Sequence, residues 1–256
     1  MNLSGLIIRR KQKQPLSNDK MVNQFIVFAC VLGLFSAGSI CRAKEYIVDE
    51  KFDTLNDWVP LIFPKIKKHS HYEISETGSV LVARSNASAS GIRYVREFNV
   101  YAFPVVRWKW KIENVYAKGN VEEKSGDDYP LRVYVIFKYD PEQASFGERI
   151  QYGLAKTVYG EYPPVSSLNY IWANRAHAKR IYSSPYTDRA RLIILRTGAG
   201  DAGKWLEESV NIIDDYRQAF GTRPPEIASL AIMNDSDNTG EASTSYLEYI
   251  QVLSNE

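Results

Sequence analysis

The chain predicts a mainly β protein, a two-sheet antiparallel sandwich that is jelly-roll-like, with one α-helix in its C-terminal half. Three observations carry that prediction. Val106, Trp108, Trp110 and Ile112 alternate with Arg107, Lys109, Lys111 and Glu113, and this period of two puts every apolar group on one sheet face. Pro130–Tyr139 and Arg189–Thr197 are apolar on both faces at their centres, as central strands of a packed sandwich are. Val210, Ile213, Arg217 and Phe220 recur at helical spacing, and Gly221 and then Pro224-Pro225 supply the stop signals.

The remaining elements follow from shorter runs of the same kind. Tyr46–Phe52, Ser79–Arg84, Ile92–Phe98, Asn169–Ala173, Ile227–Asn234 and Ser243–Leu253 each read as a strand, which makes about nine in all. A weaker helical segment is expected around Gln143–Thr157. Ala117–Asp128 (AKGNVEEKSGDD) joins two strong strands and reads as an insertion, not a domain boundary. No internal repeat or low-complexity linker divides the chain, so residues 44–256 are expected to form one sandwich domain.

Residues 1–43 have a different character. Arg9, Arg10, Lys11, Lys13 and Lys20 precede an apolar run from Phe25 to Ile40, followed by Cys41-Arg42-Ala43. Basic, then apolar, then small is the order of a signal peptide, with cleavage expected after Ala43 and a periplasmic or secreted destination. The run of 16 residues is shorter than the roughly 20 that a spanning helix needs, so no membrane span is expected after cleavage. Retention as an N-terminal anchor is the alternative.

Without that segment the charge account changes. It holds six of the 32 Lys and Arg and one of the 30 Asp and Glu, which leaves 26 basic against 29 acidic residues, a net charge of −3. The mild basicity of the whole chain therefore resides in the leader, and nucleic acid is not an expected partner. Both cysteines, Cys30 and Cys41, lie in the leader too, so disulfides and thiolate chemistry are not expected in the mature domain.

The succession Trp108-Lys109-Trp110, then Asp127-Asp128-Tyr129-Pro130-Leu131-Arg132-Val133-Tyr134-Val135, then Asp215-Tyr216-Arg217 with Phe220-Gly221, then Ala231 to Thr239 (AIMNDSDNT), resembles the bacterial domain of unknown function 3047 family. The resemblance runs from about Tyr46 to Val252 and implies an exported or envelope-facing domain. It carries over no activity, cofactor or catalytic residue. The last strand, Ser245–Val252, is similar to the closing strand of jelly-roll carbohydrate-binding modules, in which an acidic residue often sits where Glu248 or its neighbour does.

Three places have the residue types for chemistry. Asn234 to Glu241 (NDSDNTGE) puts Asp235, Asp237 and Thr239 at positions 1, 3 and 5 with Gly240 at 6, which resembles the first half of a calcium loop. Hard cations need several oxygens, alternate residues of a turning loop converge, and glycine permits the bend. Position 12 is Tyr246 instead of a bidentate glutamate, so the alternative is a turn in which Asp and Asn cap their own backbone. Asp127-Asp128 precedes Tyr129 and Arg132 at the mouth of a strong strand. Neighbouring residues there point apart, so an acid and base pair would need Asp235 or Asp237 to meet it, and a salt bridge to Arg132 is the alternative. The aromatics Tyr129, Tyr134, Tyr159, Tyr162, Tyr170 and Trp172 are placed where a sugar-stacking platform can form, with core packing as the alternative, whereas Trp108 and Trp110 belong to the core.

Other signals are weaker. Gly198 to Gly203 (GAGDAG) lies between an apolar strand and the helix like a dinucleotide fingerprint, but no second strand–helix–strand unit completes such a fold. His69, His71 and His177 lack zinc spacing and read as surface residues, and Lys65–Lys68 as a solvated run. The mature chain has no nucleophile elbow, HExxH, phosphate loop or cysteine nucleophile. The leading expectation is a non-catalytic binder of a polysaccharide or cell-envelope glycan, with Asp127, Asp128, Tyr129, Arg132, Tyr170, Trp172, Asn234 and Asn238 as ligand-binding residues. Asp235, Asp237 and Thr239 are its metal ligands should calcium bind, though no cofactor is required. The alternatives are a glycoside hydrolase or polysaccharide lyase, using either loop carboxylates or Tyr129 as base and Arg132 as charge neutraliser, and an envelope scaffold.

Overall fold

A computed structural model describes residues 44–255 except 143, 145, 148, 150–151, 153–155 and 157–161. The expected leader lies outside the described residues, as does Tyr159. Ala43–Glu256 forms one compact unit.

Fourteen described strands, numbered along the chain, build two sheets. The six-stranded sheet runs in the order β12 (Leu206–Asn211), β7 (Val105–Ile112), β14 (Ala242–Leu253), β4 (Leu81–Asn86) and β3 (His71–Ile74), with β1 (Tyr46–Glu50) also on β14. The eight-stranded sheet runs β10 (Ile181–Ser184), β11 (Thr187–Thr197), β9 (Ser166–Ala173), β8 (Arg132–Phe137), β13 (Ile227–Asp235), β5 (Ala89–Tyr94) and β2 (Trp58–Leu61), with β6 (Phe98–Asn99) also on β13. The two-sheet antiparallel-dominated sandwich is as the sequence predicts. One departure is the parallel pair β9 and β11, where Ala190 to Thr197 run alongside Ser167 to Ala173.

The alternation in β7 does what its period dictates. Val106, Trp108, Trp110 and Ile112 are buried between the sheets, and Arg107, Lys109 and Lys111 point outward. Leu168, Tyr170 and Trp172 of β9 meet them from the other sheet. Trp108 lies 5.4 Å from Tyr170 and Trp110 5.7 Å from Trp172, centroid to centroid, so aromatic pairs tie one sheet to the other.

The helix α1 (Ile212–Phe220) is shorter than its apolar spacing suggested. Val210 belongs to β12, opposite Val106, because burying a β-branched side chain in an edge strand satisfies both its packing and its backbone. Asn211 then caps the helix by accepting from the N–H groups of Ile213 and Asp214, and Gly221 closes it at φ 74°. Of the weaker helical segment, Phe146, Gly147, Arg149, Tyr152 and Lys156 are helical and the rest lies outside the described residues. Gly198 to Gly203 leads into the strand β12, which removes the strand–turn–helix context of a dinucleotide motif.

The strands β2, β3, β10 and β12 are short or edge pieces that the sequence reading does not contain. The insertion Ala117–Asp128 includes one 3₁₀ turn, Lys124–Gly126, and folds over the outer face of the eight-stranded sheet. There Val121 and Tyr129 form a second apolar cluster with Ile171, Ala173, Leu192 and Ile194. Among the described residues, no helix is long and apolar enough to cross a membrane.

Candidate functional site

Register creates the site. Arg132 opens β8 directly opposite Met233 of β13, and Asp235, two residues further along, shares that face. Both side chains therefore stand on the outer face of the eight-stranded sheet, under the folded-over insertion. Arg132 Nε donates to Asp235 Oδ1 at 2.8 Å, Nη2 donates to Asp235 Oδ2 and to the Asp127 carbonyl, and Nη1 donates to Asp127 Oδ1 at 3.2 Å. The guanidinium also lies over the Tyr129 ring, 4.4 Å from its centroid.

Asp127 and Asp128 do point apart, although Asp127 closes the 3₁₀ turn at φ −78° and ψ 55° and is not extended. Asp127 turns to Arg132, whereas Asp128 turns to the NDSDNTGE loop, accepting from Thr239 N at 2.6 Å and from Asn238 Nδ2 at 2.9 Å. The loop closes with Gly240 N donating to the Ser236 carbonyl at 2.9 Å, and Gly240 takes φ 71°, a left-handed conformation that glycine adopts without strain. Asp128, Asp235 and Asp237 thereby bring one carboxylate oxygen each to within 4.8 Å of one another. Oxygens that share a calcium ion at about 2.3–2.6 Å are separated by up to about 5 Å, so the spacing fits such an ion.

The electrostatics are those of crowded carboxylates. Burial lifts Asp235 to about 7 against the pull of Arg132, with Asp128 and Asp127 adding repulsion. Asp127 and Asp237 are also raised, each first by burial, and Asp128 repels Asp237 further. Burial opposes the charge on Arg132, but Asp127 and Asp235 outweigh it and hold the guanidinium protonated. Four carboxylates thus face one cation. A divalent ion bound there would offset part of the excess, sharing Asp235 with Arg132.

The structure brings together Asp127, Asp128, Tyr129, Arg132, Asp235, Asp237, Asn238 and Thr239, and it corrects four expectations. Tyr170 and Trp172 are core residues with no face open to a ligand; Tyr170 OH donates to Asp215 and Trp172 Nε1 to the Gly198 carbonyl. Asn234 is a bridge between sheets, its Nδ2 donating to the Ala83 carbonyl on β4 at 2.9 Å while its Oδ1 accepts from Tyr116. Thr239 meets the carboxylates only as a donor through its N–H, since its hydroxyl accepts from Glu241 N and its carbonyl from Lys118 Nζ. The third member of the cluster is Asp128, in place of Thr239.

Tyr186 was not among the expected residues. It sits in the turn between β10 and β11, 54% exposed, and its hydroxyl donates to Asn238 Oδ1 at 2.6 Å. An aromatic beside a proline in the polar turn Ser184-Pro185-Tyr186 is the signal that could have marked it.

The family model for Protein of unknown function (DUF3047) matches residues 56–251. The chain belongs to the DUF3047 family. Its family-matched region spans the whole site, from the insertion to the NDSDNTGE loop. No curated protein matches the chain. Among solved structures, this DUF3047 chain is similar to the family 11 carbohydrate-binding module of the cellulase Lic26A-Cel5E of Clostridium thermocellum, with 8% identity and a TM-score of 0.42 over 83% of this chain and 95% of that one. It is similar to the winged bean acidic lectin complexed with methyl-alpha-D-galactose (11%, TM-score 0.40, 83% and 100%). It is also similar to endoglucanase 3 of Trichoderma harzianum, from family GH12 (6%, TM-score 0.40, 83% and 97%).

Proposed function

We propose that the domain is an exported, non-catalytic glycan-binding sandwich whose loop centre at Asp128, Asp235 and Asp237 holds a calcium ion. The convergence of those three carboxylates from two loops carries the reading. Asn238 and the exposed Tyr186 border the centre and supply an amide and a ring for a sugar beside the ion. The ion joins the insertion to the NDSDNTGE loop, so it stabilises the rim that meets the ligand.

Turnover has less support. A lyase-type base must lose its proton near neutrality, and burial beside Asp127 pushes the Tyr129 phenol well above its ordinary value. Arg132 is spent on Asp127 and Asp235, and Asp235, 2% exposed, lies out of a polysaccharide's reach.

The test is the melting temperature of the purified protein in EDTA, in calcium, and in calcium with a panel of soluble glycans. A ligand of the folded state alone must raise it, by about 2.7 kcal/mol of stability at a hundredfold excess over Kd. Calcium should raise it, Asp237→Ala should abolish that rise, and one glycan should add to it with no product released. Indifference to calcium removes the metal centre, and indifference to every glycan removes the binding function.

A further inference from the structure

The outer face of the six-stranded sheet is hollowed where β3, β4 and β14 meet. A cleft of about 460 Å³ lies there, lined among others by Lys68, His69, His71, Arg84, Asn86 and Thr244. Register explains the gathering. His71 pairs with Arg84, and Arg84 pairs with Thr244, so the three side chains stand in one row across adjacent strands, about 5 Å apart. Lys68 and His69 come from the segment just before β3. The histidines and the basic run, unremarkable as sequence, thus share a hollow with an arginine.

Before the histidines are counted, Lys68, Arg84 and Lys111 stand there against Glu73 and Glu113, one basic group in excess. The acidic groups facing the row are Glu73, which holds both Arg84 and His71, and Glu113, which is paired with Lys111 at 3.2 Å. Lys68 has no ion pair among the described residues. His69 uses one ring nitrogen on the Ile66 carbonyl at 3.1 Å, which leaves the other for a ligand. Arg84 keeps further N–H donors beyond those on Glu73, since a guanidinium has five.

One row along the same face, about 7 Å away by strand geometry, Tyr246 pairs with Val82 on one side and Lys111 on the other. The Trp205 ring, 36% exposed, stands against Tyr246 at 6.3 Å, and Lys109 and Lys111 lie over it at 5.8 and 5.7 Å. Trp205, just before β12, stands three strands from Arg84 on β4, about 14 Å by strand spacing. The face therefore suits an extended acidic polysaccharide, one ring of which packs on the exposed edge of Trp205 while the anion of a sugar further along enters the hollow.

We infer that this sheet face is a second glycan site, selective for acidic polysaccharide, with Lys68, His69, His71 and Arg84 taking the carboxylate or phosphate and Trp205 taking a sugar ring. The inference rests on the glycan-binding reading but needs neither the calcium centre nor its loops.

Isothermal titration of the full chain decides it, with polygalacturonate as the uronate probe, a phosphate-bearing mannan as the phosphate probe and dextran as the neutral control, each in calcium and in EDTA. One acidic chain should bind, dextran should not, and which of the two binds names the anion. Lys68→Ala with Arg84→Ala should weaken binding about tenfold or more, the size of one lost charge-assisted hydrogen bond, and Trp205→Ala should weaken it separately. EDTA and Asp237→Ala should leave it unchanged. Equal binding of dextran, or unchanged affinity in the Lys68, Arg84 and Trp205 variants with unchanged melting temperature, overturns the sheet-face site. Calcium-dependent binding lost in Asp237→Ala alone overturns it while sustaining the loop centre, and binding that survives EDTA and falls only in the sheet-face variants does the reverse. Indifference to all three polysaccharides overturns this site and counts against glycan binding as a whole.

Discussion

The two sheets treat their outer faces in opposite ways. On the eight-stranded sheet, Arg132 and Asp235 are buried under the insertion and bonded to each other and to Asp127, so their charge is spent inside the protein. On the six-stranded sheet, Arg84, Lys109 and Lys111 remain at the surface, paired with exposed or half-exposed glutamates. Buried charge is costly to leave unpaired, whereas exposed pairs contribute little. The same residue types therefore serve architecture on one face and are free for recognition on the other.

The largest expected effect is at the buried face. Arg132→Leu strands Asp127 and Asp235 without their cation and should cost about 3–5 kcal/mol, read by urea unfolding. A loss below about 1 kcal/mol would make the two faces alike. Gly126→Ala comes next. A Cβ there would lie 2.5 Å from Asn120 N and 2.7 Å from Asn120 Cβ, so the turn that presents Asp127 and Asp128 must shift. The expected cost is about 1–3 kcal/mol, together with a weaker calcium response.

The pH dependence sharpens the contrast further. Asp235 has a folded-state value of about 7, above the roughly 3.9 of an exposed aspartate. A group whose pKa rises on folding adds stability that is complete below its unfolded value and is lost as pH rises through the folded one. In EDTA, the wild-type protein should lose stability between about pH 4 and about pH 7 relative to Asp235→Asn, measured as the difference in urea midpoints across that window. Calcium should remove the difference by favouring the ionised form. A flat difference in EDTA would show that Arg132 alone sets the charge state.

The smallest effects belong to the open surfaces. Tyr186→Ala and Arg84→Ala should each change stability by no more than about 0.5 kcal/mol, with intact melting curves. Their effect should appear in binding alone, Tyr186 at the loop centre and Arg84 at the sheet face.

Much of this architecture was legible in the sequence because it is local. The period of two in β7 marked its buried face, the apolar centres of β8 and β11 marked interior strands, and Gly221 ended the helix where it ends. The edge strands β2, β3, β10 and β12 were not legible, since they are short and exist because a longer neighbour offers them hydrogen bonds. The candidate site divides in the same way. The Asp and Asn loops announced themselves, but Tyr170 and Trp172 carry the same letters as a surface platform and are core, because burial depends on what the opposite sheet presents.

By itself, then, the sequence determined the class of fold, the main strands and the two acidic loops, all consequences of spacing along the chain. Only the tertiary structure decided that Asp128, separated from Asp235 by more than a hundred residues, stands within reach of it, and that His71, Arg84 and Thr244 form one row. Those juxtapositions come from strand register and from the folding of one loop over a sheet. They are settled by packing between distant segments, which no local pattern records.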